Sequence, residues 1–458
     1  MSGGRTLIAP ARPTGLPPGP GFNPWRLWAF VQRPVEEYAR FRRRYGELVT
    51  LTTSDMRLVL VLTPDGAREV LTADPDDYAA SHKRQFTGLA GSGSVWIMDG
   101  ARHRRERQLL APAFHLQRVR EYGCVIQALT RQRIDRWQPG QEVTLYHAML
   151  DVSREVILRV VFGVADGPLQ AEGHRVMSEL LHLVRPIFVH VAAFQSWWFP
   201  PWRRYARAKA RFAAFTARCL AEHRARADAA DDVVGLLLAA RDEGGAPLTD
   251  TEISSELGTI AFSGHETTAV GLCWALYELA RHPAILERLR AEIDALGPDP
   301  EPDVIARLPY LTAVCNETLR LHSILTEIAR VTREPLQLGR YTLPPGTTVG
   351  VGICAIHHDP TIYPEPERFR PERFLERTYS PFEFLPFGGG HRRCLGAALS
   401  DYEMRIVLAT IVAHWELAPA RDDRDVRHNI GMGPKYGVPM RIVGRRAGPG
   451  GGMTPWRC

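Results

Sequence analysis

The strongest constraint on this chain is a ten-residue stretch near its C-terminal end, residues 387–396, which reads FGGGHRRCLG. Its three consecutive glycines allow a tight turn and a close approach to something flat. Apolar residues follow at helical spacing from 397 to 414, which predicts a helix. We therefore expect Cys394 near a helix N-terminus, where unpaired N–H groups and the helix dipole favour a thiolate.

Three kinds of site could use a single cysteine presented in this way. A zinc site needs further cysteine or histidine ligands, and the only one close in sequence is His391. A cysteine nucleophile needs a histidine base, which this stretch alone does not exclude. A heme iron needs one axial ligand, and cysteine thiolate is one of the few that proteins use.

The stretch also fits the pattern F-x-x-G-x-R-x-C-x-G at every fixed position, with Phe387, Gly390, Arg392, Cys394 and Gly396. In this it resembles the heme-binding loop of the cytochrome P-450 superfamily, of the soluble bacterial type. The resemblance implies a mainly α fold, the cytochrome P-450 fold, with about a dozen helices around heme and small β-sheets.

The same resemblance implies the cofactor and its contacts. The cofactor is heme b (iron protoporphyrin IX), the metal ligand is Cys394, and Phe387, Gly388 and Gly396 lie beside it. Two further residues, His103 and Arg107, are four apart and would share one helix face. Family members with H-x-x-x-R at this place use both for the heme propionates, and the family pattern adds Arg330 and Arg392 as cofactor-binding residues.

A long helix is predicted to begin at a capping box formed by Thr249 and Glu252 and to end before Pro283. Its centre, residues 261–268, reads AFSGHETT, and we expect these polar residues and the glycine to break the helix. The family shows small-Gly-x-acid-Thr here, which assigns proton handling during catalysis to Glu266 and Thr267. In this chain Ser263 replaces the usual alanine.

The family also joins three charged residues into a structural network, which here would be Glu317, Arg320 and Arg373. The first two lie three apart on a predicted helix, 309–322, and could pair. Family members usually continue with His-Pro-Pro, whereas residues 322–324 read HSI, so the local turn must differ.

The remaining elements follow from hydrophobic period and turn residues. Helices are expected at 34–45, 65–74, 116–137, 142–163 and 232–242, with two long ones in 168–228. Strands are expected at 47–52 and 57–62 around a turn at 53–55, and a hairpin at 426–443 with its tip at 431–433. Residues 83–95 should be an irregular loop over the pocket. Residues 1–25 form a Pro/Gly-rich lead, 26–443 a single heme domain and 444–458 a Gly-rich tail.

The residues expected to line the substrate pocket are mostly apolar. They are Phe86, Leu89, Ile260, Ala261, Ser263, Gly264, Ile324, Ile328 and Met432. They indicate a hydrophobic small molecule such as a fatty acid, terpenoid, steroid or polyketide, without specifying which one or which carbon is attacked. Glu327 is unusual there: it could bind a polar group of the substrate or face solvent, and we favour solvent.

Composition excludes several classes of protein. Seven dispersed cysteines argue against a secreted disulfide framework, and no apolar run is long enough to span a membrane. We therefore expect a cytoplasmic monomer. The net charge of +6 does not indicate nucleic-acid binding, because no recognition motif accompanies it. The aromatic segment 194–202 could equally touch a membrane surface peripherally or pack against the body.

The function that the resemblance implies is that of a heme-thiolate monooxygenase, which hydroxylates or epoxidises its substrate with dioxygen. No flavin or nucleotide motif is present, so the electrons must come from an external partner. An acidic ferredoxin or flavodoxin with its reductase would suit a basic surface formed by Arg102, Arg104, Arg105, Arg392 and Arg393.

The alternatives to a monooxygenase are a peroxygenase that uses peroxide, a heme-thiolate isomerase or dehydratase, and a non-catalytic heme sensor or carrier. The Glu266–Thr267 pair argues against the first two.

Overall fold

Helices make up most of the described chain. The computed structural model describes residues 15–52, 57–164, 166–185, 188, 192–226, 232–298, 300–428 and 431–446. The helices are α1 (Pro24–Gln32), α2 (Pro34–Tyr45), α3 (Pro64–Thr72), α4 (Lys83–Ala90), α5 (Gly100–Leu110), α6 (Leu116–Glu121), α7 (Gly123–Ile134), α8 (Leu145–Val156), α9 (Pro168–His182), α10 (Pro200–Ala225), α11 (Val233–Ala239), α12 (Asp250–Arg281), α13 (Pro283–Asp294), α14 (Pro302–Ile305), α15 (Pro309–Leu321), α16 (Ile353–His357), α17 (Arg373–Glu376) and α18 (Ala397–His414).

The strands form four small sheets beside the helices. They are β1 (Leu48–Thr52), β2 (Arg57–Val61), β3 (Tyr78–Ala80), β4 (Glu142–Thr144), β5 (Ile328–Thr332), β6 (Leu336–Leu338), β7 (Tyr341–Leu343), β8 (Thr348–Val351), β9 (Trp415–Pro419), β10 (Asp425–Arg427), β11 (Met432–Pro434) and β12 (Pro439–Arg445). The largest sheet has the order β1-β2-β8-β5-β3, the next β4-β12-β9, and the pairs β6-β7 and β10-β11 stand alone. The prediction of a mainly α fold with small sheets is confirmed.

The 32-residue helix α12 runs through the main core and packs against α8, α10, α15 and α18. It begins at the predicted capping box, in which Thr249 and Glu252 each accept from the other's backbone N–H. The predicted break is wrong, because the helix is continuous through residues 261–268. The hydroxyls of Ser263, Thr267 and Thr268 instead donate to carbonyls four residues earlier, at 2.7–3.1 Å, which satisfies these polar groups within the helix.

Residues 83–90 form α4, where an irregular loop was predicted. Three side chains from beyond residue 190 stabilise it by donating to its carbonyls. Gln195 bonds to Gln85 O at 2.8 Å, Lys209 to Gly88 O at 2.9 Å, and Tyr205 to Leu89 O at 2.9 Å. A local sequence pattern does not contain these distant donors.

Two predicted helices are divided in the structure. The 116–137 segment breaks between α6 and α7, where a side chain on Gly123 would lie 2.5 Å from the hydroxyl of Tyr402. The 142–163 segment starts as strand β4, which pairs with β12, and becomes helical only at Leu145. Long-range pairing therefore overrides local propensity at both sites.

The C-terminal region differs from the single hairpin predicted for 426–443. Strands β10 and β11 pair with each other, while β12 joins β4 and β9 in another sheet and continues to Arg445. Met432 is the first residue of β11 rather than part of a hairpin tip. The predicted turn at 53–55, most of the tail and residues 1–14 of the lead lie outside the described residues.

Within the described residues, no helix combines the length and the apolar character that crossing a membrane requires.

A half-buried histidine closes the turn after α15, where Ser323 and Ile324 stand in place of the two prolines common in the family. His322 Nδ1 lies 2.7 Å from Asp425 Oδ2, and its Nε2 lies 3.1 Å from Glu278 Oε1. Its ring stacks on Trp274 with the centroids 4.1 Å apart. Burial alone would lower the pKa of His322, but the two carboxylates outweigh it and raise the pKa to about 9.

The stability of the protein should therefore depend on pH through His322. Because the folded pKa lies above the unfolded value near 6.5, the contribution is complete below about pH 6.5 and is lost as pH rises through about 9, amounting to about 3 kcal/mol. Urea unfolding of the wild type and of His322→Gln should show a stability difference that is largest at pH 6 and shrinks toward pH 9.5. A difference that does not vary with pH would contradict the charged state.

Candidate functional site

The glycine-rich loop folds as a tight turn that delivers Cys394 to the start of α18. Gly388 and Gly390 have φ of +65° and +67°, and a side chain on Gly390 would lie 2.1 Å from the carbonyl oxygen of Leu71. Only glycine can occupy that position. The N–H of Cys394 donates to Phe387 O at 2.9 Å and closes the turn, and α18 begins three residues later, at Ala397.

The sulfur of Cys394 lies on a surface that is accessible but closely surrounded by protein. The residue is exposed, yet burial raises the pKa of its thiol. A bond from the Gly396 N–H and the charges of Arg393 and Arg107 act in the opposite direction and do not outweigh burial. Burial thus acts against the thiolate expected from the sequence, and a metal cation bound to the sulfur would favour it.

Basic side chains from three parts of the chain meet near this loop. His103 and Arg107 come from α5, Arg330 from β5, and His391 and Arg392 from the loop itself. Burial, followed by the charges of Arg392, Arg107, His391 and Arg330, lowers the pKa of His103 to about 3. Burial and Arg392 lower the pKa of Arg330 to about 10.

Such a cluster fits a dianionic group. Arg330 is buried, and its Nε has no hydrogen-bond partner. Its Nη2 donates a long hydrogen bond, 3.4 Å, to the carbonyl oxygen of Gly389. Buried cations without counter-charge are costly, and two carboxylates would supply both the charge and the acceptors. The residues present therefore fit a heme, whose propionates would meet His103, Arg107 and Arg330, with Cys394 as the iron ligand.

Arg392 differs from the other predicted donors because it already has partners. It donates to the carbonyl of Met98, and to Asp99 Oδ1 at 2.8 Å. Asp99 in turn binds Lys83 and Arg333, and the hydrogen bonds from these cations lower its pKa although burial opposes them. In this structure Arg392 therefore ties the loop to the segment before α5.

Glu266 and Thr267 lie side by side on α12, but their side chains have different partners. The hydroxyl of Thr267 donates to Ser263 O at 2.8 Å. One carboxylate oxygen of Glu266 accepts from Tyr146 at 2.7 Å and lies 3.7 Å from Nδ1 of His428. The acid is therefore held toward α8 and β10–β11.

The predicted pocket residues divide by exposure. Leu89, Ala261 and Met432 are buried at 5% exposure or less. The other six, Phe86, Ile260, Ser263, Gly264, Ile324 and Ile328, keep part of their surface accessible. Met432 still belongs to this region, since its N–H donates to Ile324 O at 2.7 Å.

Sequence reasoning missed an aromatic cluster that extends from α4 to α12. The ring of Trp96 packs edge-to-face against Phe86 and against Phe262, with centroids 5.2 and 5.6 Å apart. All three rings are partly accessible. Phe262 directly precedes Ser263 in the polar motif of α12, and Trp96 directly follows residues 83–95, which contain three glycines. Nearness in sequence to these two segments was the signal that could have identified both rings. Tyr146 and His428 carried no local signal.

Two further expectations have clear outcomes. Glu327 does not face solvent: it is half-buried and accepts from the hydroxyl of buried Tyr38 at 3.0 Å, so the preferred interpretation is wrong. In the part of the chain that the structure describes, no group of three or more His, Cys, Asp or Glu could hold a metal ion. A zinc site at Cys394 therefore lacks ligands there.

The predicted charged network is assembled in the core. Arg320 donates to both oxygens of Glu317 at 2.7 and 2.9 Å, and Arg373 donates to the same carboxylate at 3.0 Å. All three side chains are buried. The arginines also bind the carbonyls of His357 and Pro364, so the network connects α15 to the segment before the cysteine loop.

Comparisons with known proteins agree with this geometry. A family model described as Cytochrome P450 matches residues 15–438. Two proteins of Mycobacterium tuberculosis, provisionally named cytochrome P450 135A1 and cytochrome P450 138, are each 33% identical; the first covers 94% of this chain and 96% of its own length, the second 96% and 98%.

Solved structures share the fold. "Retinoic acid bound cyanobacterial CYP120A1" has a TM-score of 0.82 at 22% identity, covering 94% of this chain and 99% of that one. "Crystal structure of cytochrome P450DA heme domain" has a TM-score of 0.81 at 23% identity, covering 95% and 99%. At this identity the likeness establishes the fold alone.

Glu317→Gln should destabilise the protein strongly, because it leaves two buried guanidinium groups without their counter-charge, at a cost of about 3–5 kcal/mol. The measurement is the free energy of unfolding in urea. Glu372→Gln is the matched control, since Glu372 pairs with the exposed Arg288 and should cost much less. Equal losses at the two sites would contradict the importance of burial.

Proposed function

The chain belongs to the cytochrome P450 family and is a heme-dependent monooxygenase, and on that basis we propose that it inserts one oxygen atom of dioxygen into a hydrophobic small molecule. The observation that carries this proposal is that the chain holds an exposed cysteine, Cys394, in a turn that only glycine can form, and also carries an acid and a hydroxyl side by side on the long helix α12. Hydroxylation and epoxidation are both within this chemistry.

A heme ligated by Cys394 would supply the redox chemistry that activates dioxygen. The chain would supply the environment. Arg107 and Arg330 would bind the propionates as cations and His103 as a neutral donor, and the propionates would neutralise the two guanidinium charges. Phe387, Gly388 and Gly396 form the wall beside the sulfur, and the backbone N–H of Gly396 stabilises its negative charge.

Thr267 and Glu266 manage protons on the distal side of the cofactor. The hydroxyl of Thr267 is anchored to the Ser263 carbonyl and can accept a bond while donating one. Glu266 is the adjacent acid, and its carboxyl must turn from Tyr146 toward Thr267 to deliver a proton. Arg-Pro stands at the acid–Thr position in family members that use peroxide, so this pair favours dioxygen over peroxide as the oxidant.

The accessible walls favour a hydrophobic substrate. Ile260, Ile324 and Ile328 are aliphatic, and the Phe86–Trp96–Phe262 cluster adds an aromatic side. Fatty acids, terpenoids, steroids and polyketides all fit this character. Optical titration of the ferric protein with one member of each class, with benzoate as a polar control, tests it. A spectral shift with benzoate alone would contradict a hydrophobic pocket.

Electrons come from an external partner, and we propose an acidic ferredoxin or flavodoxin. Of the basic surface predicted for it, Arg102 and Arg393 are exposed, whereas Arg104 pairs with Asp76 and Arg105 with Asp242, so the docking charge is smaller than the sequence count suggests. Reduction by such a partner should still become slower as ionic strength rises.

The aromatic segment 194–202 divides into a packed part and an exposed part. Phe199 contacts Phe188, while Trp197 and Trp198 are 79% and 54% exposed. We propose that these two indoles make a peripheral contact with a lipid surface, since amphipathic aromatic rings favour the lipid–water interface. Co-sedimentation of the protein with anionic vesicles, compared with Trp197→Ser, tests this contact.

Cys394→Ala should abolish the thiolate signature in the spectrum of the reduced, CO-bound protein, because it removes the sulfur proposed as the iron ligand. Cys124→Ala, a partly exposed cysteine elsewhere, is the matched control and should leave the spectrum unchanged. An unchanged spectrum in Cys394→Ala would remove it as the ligand.

Thr267→Ala should divert reducing equivalents from product to peroxide or water, raising the uncoupled fraction by about tenfold or more, because the distal hydroxyl no longer orders protons. The measurement is product formed per NAD(P)H consumed with a substrate found by titration. Thr312→Ala removes a hydroxyl with the same back-bond, to Leu308 O at 2.9 Å, away from the motif. Full coupling in Thr267→Ala would exclude its role.

A further inference from the structure

Helix α12 meets two other elements at Glu266. The hydroxyl of Tyr146, at the start of α8, donates to Glu266 Oε1 at 2.7 Å. His428, which follows β10, places its Nδ1 3.7 Å from the same oxygen. The rings of Tyr146 and His428 pack edge-to-face with centroids 5.5 Å apart. The backbone of Tyr146 is itself held by the Gly437 carbonyl at 3.0 Å, so the positions of all three residues are linked.

The partner of His428 Nε2 determines whether Nδ1 of the neutral ring is a donor or an acceptor. Nε2 lies 3.1 Å from the carbonyl oxygen of Pro434, which can only accept, so Nε2 carries a hydrogen. In the neutral imidazole Nδ1 then has a lone pair and faces the carboxylate oxygen of Glu266. Two acceptors face each other unless one proton lies between them, so the geometry favours a pair that holds one proton.

We propose that His428 and Glu266 share one proton, that Tyr146 fixes the carboxylate that receives it, and that this trio feeds protons to Thr267. The inference rests on the proposed function, because it concerns the source of the protons that Thr267 orders. Both Tyr146 and His428 act through Glu266 and are therefore positioning residues. In the transfer, the N–H bond of Nδ1 breaks and its electron pair stays on nitrogen, while an O–H bond forms on Glu266 Oε1.

Partial exposure allows the pair to be recharged. The side chains of His428 and Glu266 are 23% and 21% exposed, so Nδ1 can take a new proton from water after each transfer. The interaction with Glu266 also raises the pKa of His428, and burial acts in the opposite direction.

The other titratable groups around the pair do not compete for its proton. Asp425, on β10, faces His428 but is bound to the charged His322 at 2.7 Å. Burial, followed by the charge of Glu266, raises the pKa of Tyr146, so it stays a donor. Cys273 and His265, on α12, stay neutral because burial raises the thiol pKa and lowers that of the imidazole to about 4.

The first test measures the pair without turnover. In the reduced, CO-bound holoprotein labelled with ¹³C-histidine, the NMR titration of His428 is identified by its loss in His428→Gln. In Glu266→Gln the pKa of His428 should fall, since the negative charge beside Nδ1 is removed while the side chain keeps its size. An unchanged titration would overturn the shared proton, whatever the protein oxidises.

The second test places the pair on the proton route. His428→Gln keeps a donor for Pro434 O but cannot titrate, so product formed per electron pair should lose its dependence on pH between 6 and 8, and peroxide should rise by about tenfold. His174→Gln is the control, since His174 lies on α9 and pairs with another glutamate, Glu155 on α8. Unaltered coupling and pH profile in His428→Gln would overturn the route.

Tyr146→Phe provides an independent variant, because it keeps the ring and removes only the hydroxyl. It should raise the solvent isotope effect on product formation while leaving the substrate dissociation constant unchanged. Tyr310→Phe removes a matched 2.7 Å bond to Glu372 and should do neither. A wild type that oxidises nothing with any reductase would refute the proposed function, whereas an active wild type with unaffected variants would refute only this inference.

Discussion

The close approach of the glycine loop to helix α3 is the constraint on which the site depends. A single missing side chain, at Gly390, allows the loop backbone to lie against the Leu71 carbonyl. That contact fixes where the turn closes and hence where the sulfur of Cys394 stands. A side chain on the neighbouring Gly389 would also be crowded, because its Cβ would lie 2.9 Å from Leu71 Cδ1. Because the two segments touch backbone to backbone, small changes in α3 would move the sulfur directly.

The second part of the candidate site is α12, whose polar residues are accommodated without a break. Each hydroxyl in the motif back-bonds to the turn before it, so the helix keeps its rigidity while presenting Ser263 and Thr267 on one face. Glu266 lies on an adjacent face and is held by side chains from other elements. One helix therefore carries a fixed hydroxyl and a carboxyl that can be released.

The sequence predicted the parts of the structure that depend on short-range patterns. The capping box at Thr249 and the length of α12 followed from motifs and spacing, and the meeting of Glu317, Arg320 and Arg373 followed from the family resemblance. The parts that failed depend on distant partners. Helix α4 needs donors from beyond residue 190, strand β4 needs β12, and the partners of Glu266 come from residues 120 and 162 positions away, for which no local pattern exists.

The capping of α4 by Gln195, Tyr205 and Lys209 links two parts of the molecule that would otherwise move separately. These donors lie between residues 195 and 209, and α4 carries Phe86 of the aromatic cluster. Separating the two segments would break three hydrogen bonds of about 1 kcal/mol each and would leave the carbonyls of Gly88 and Leu89, in the last turn of α4, without these donors. The position of Phe86 against Trp96 therefore depends on residues more than 100 positions away as well as on the helix that carries it.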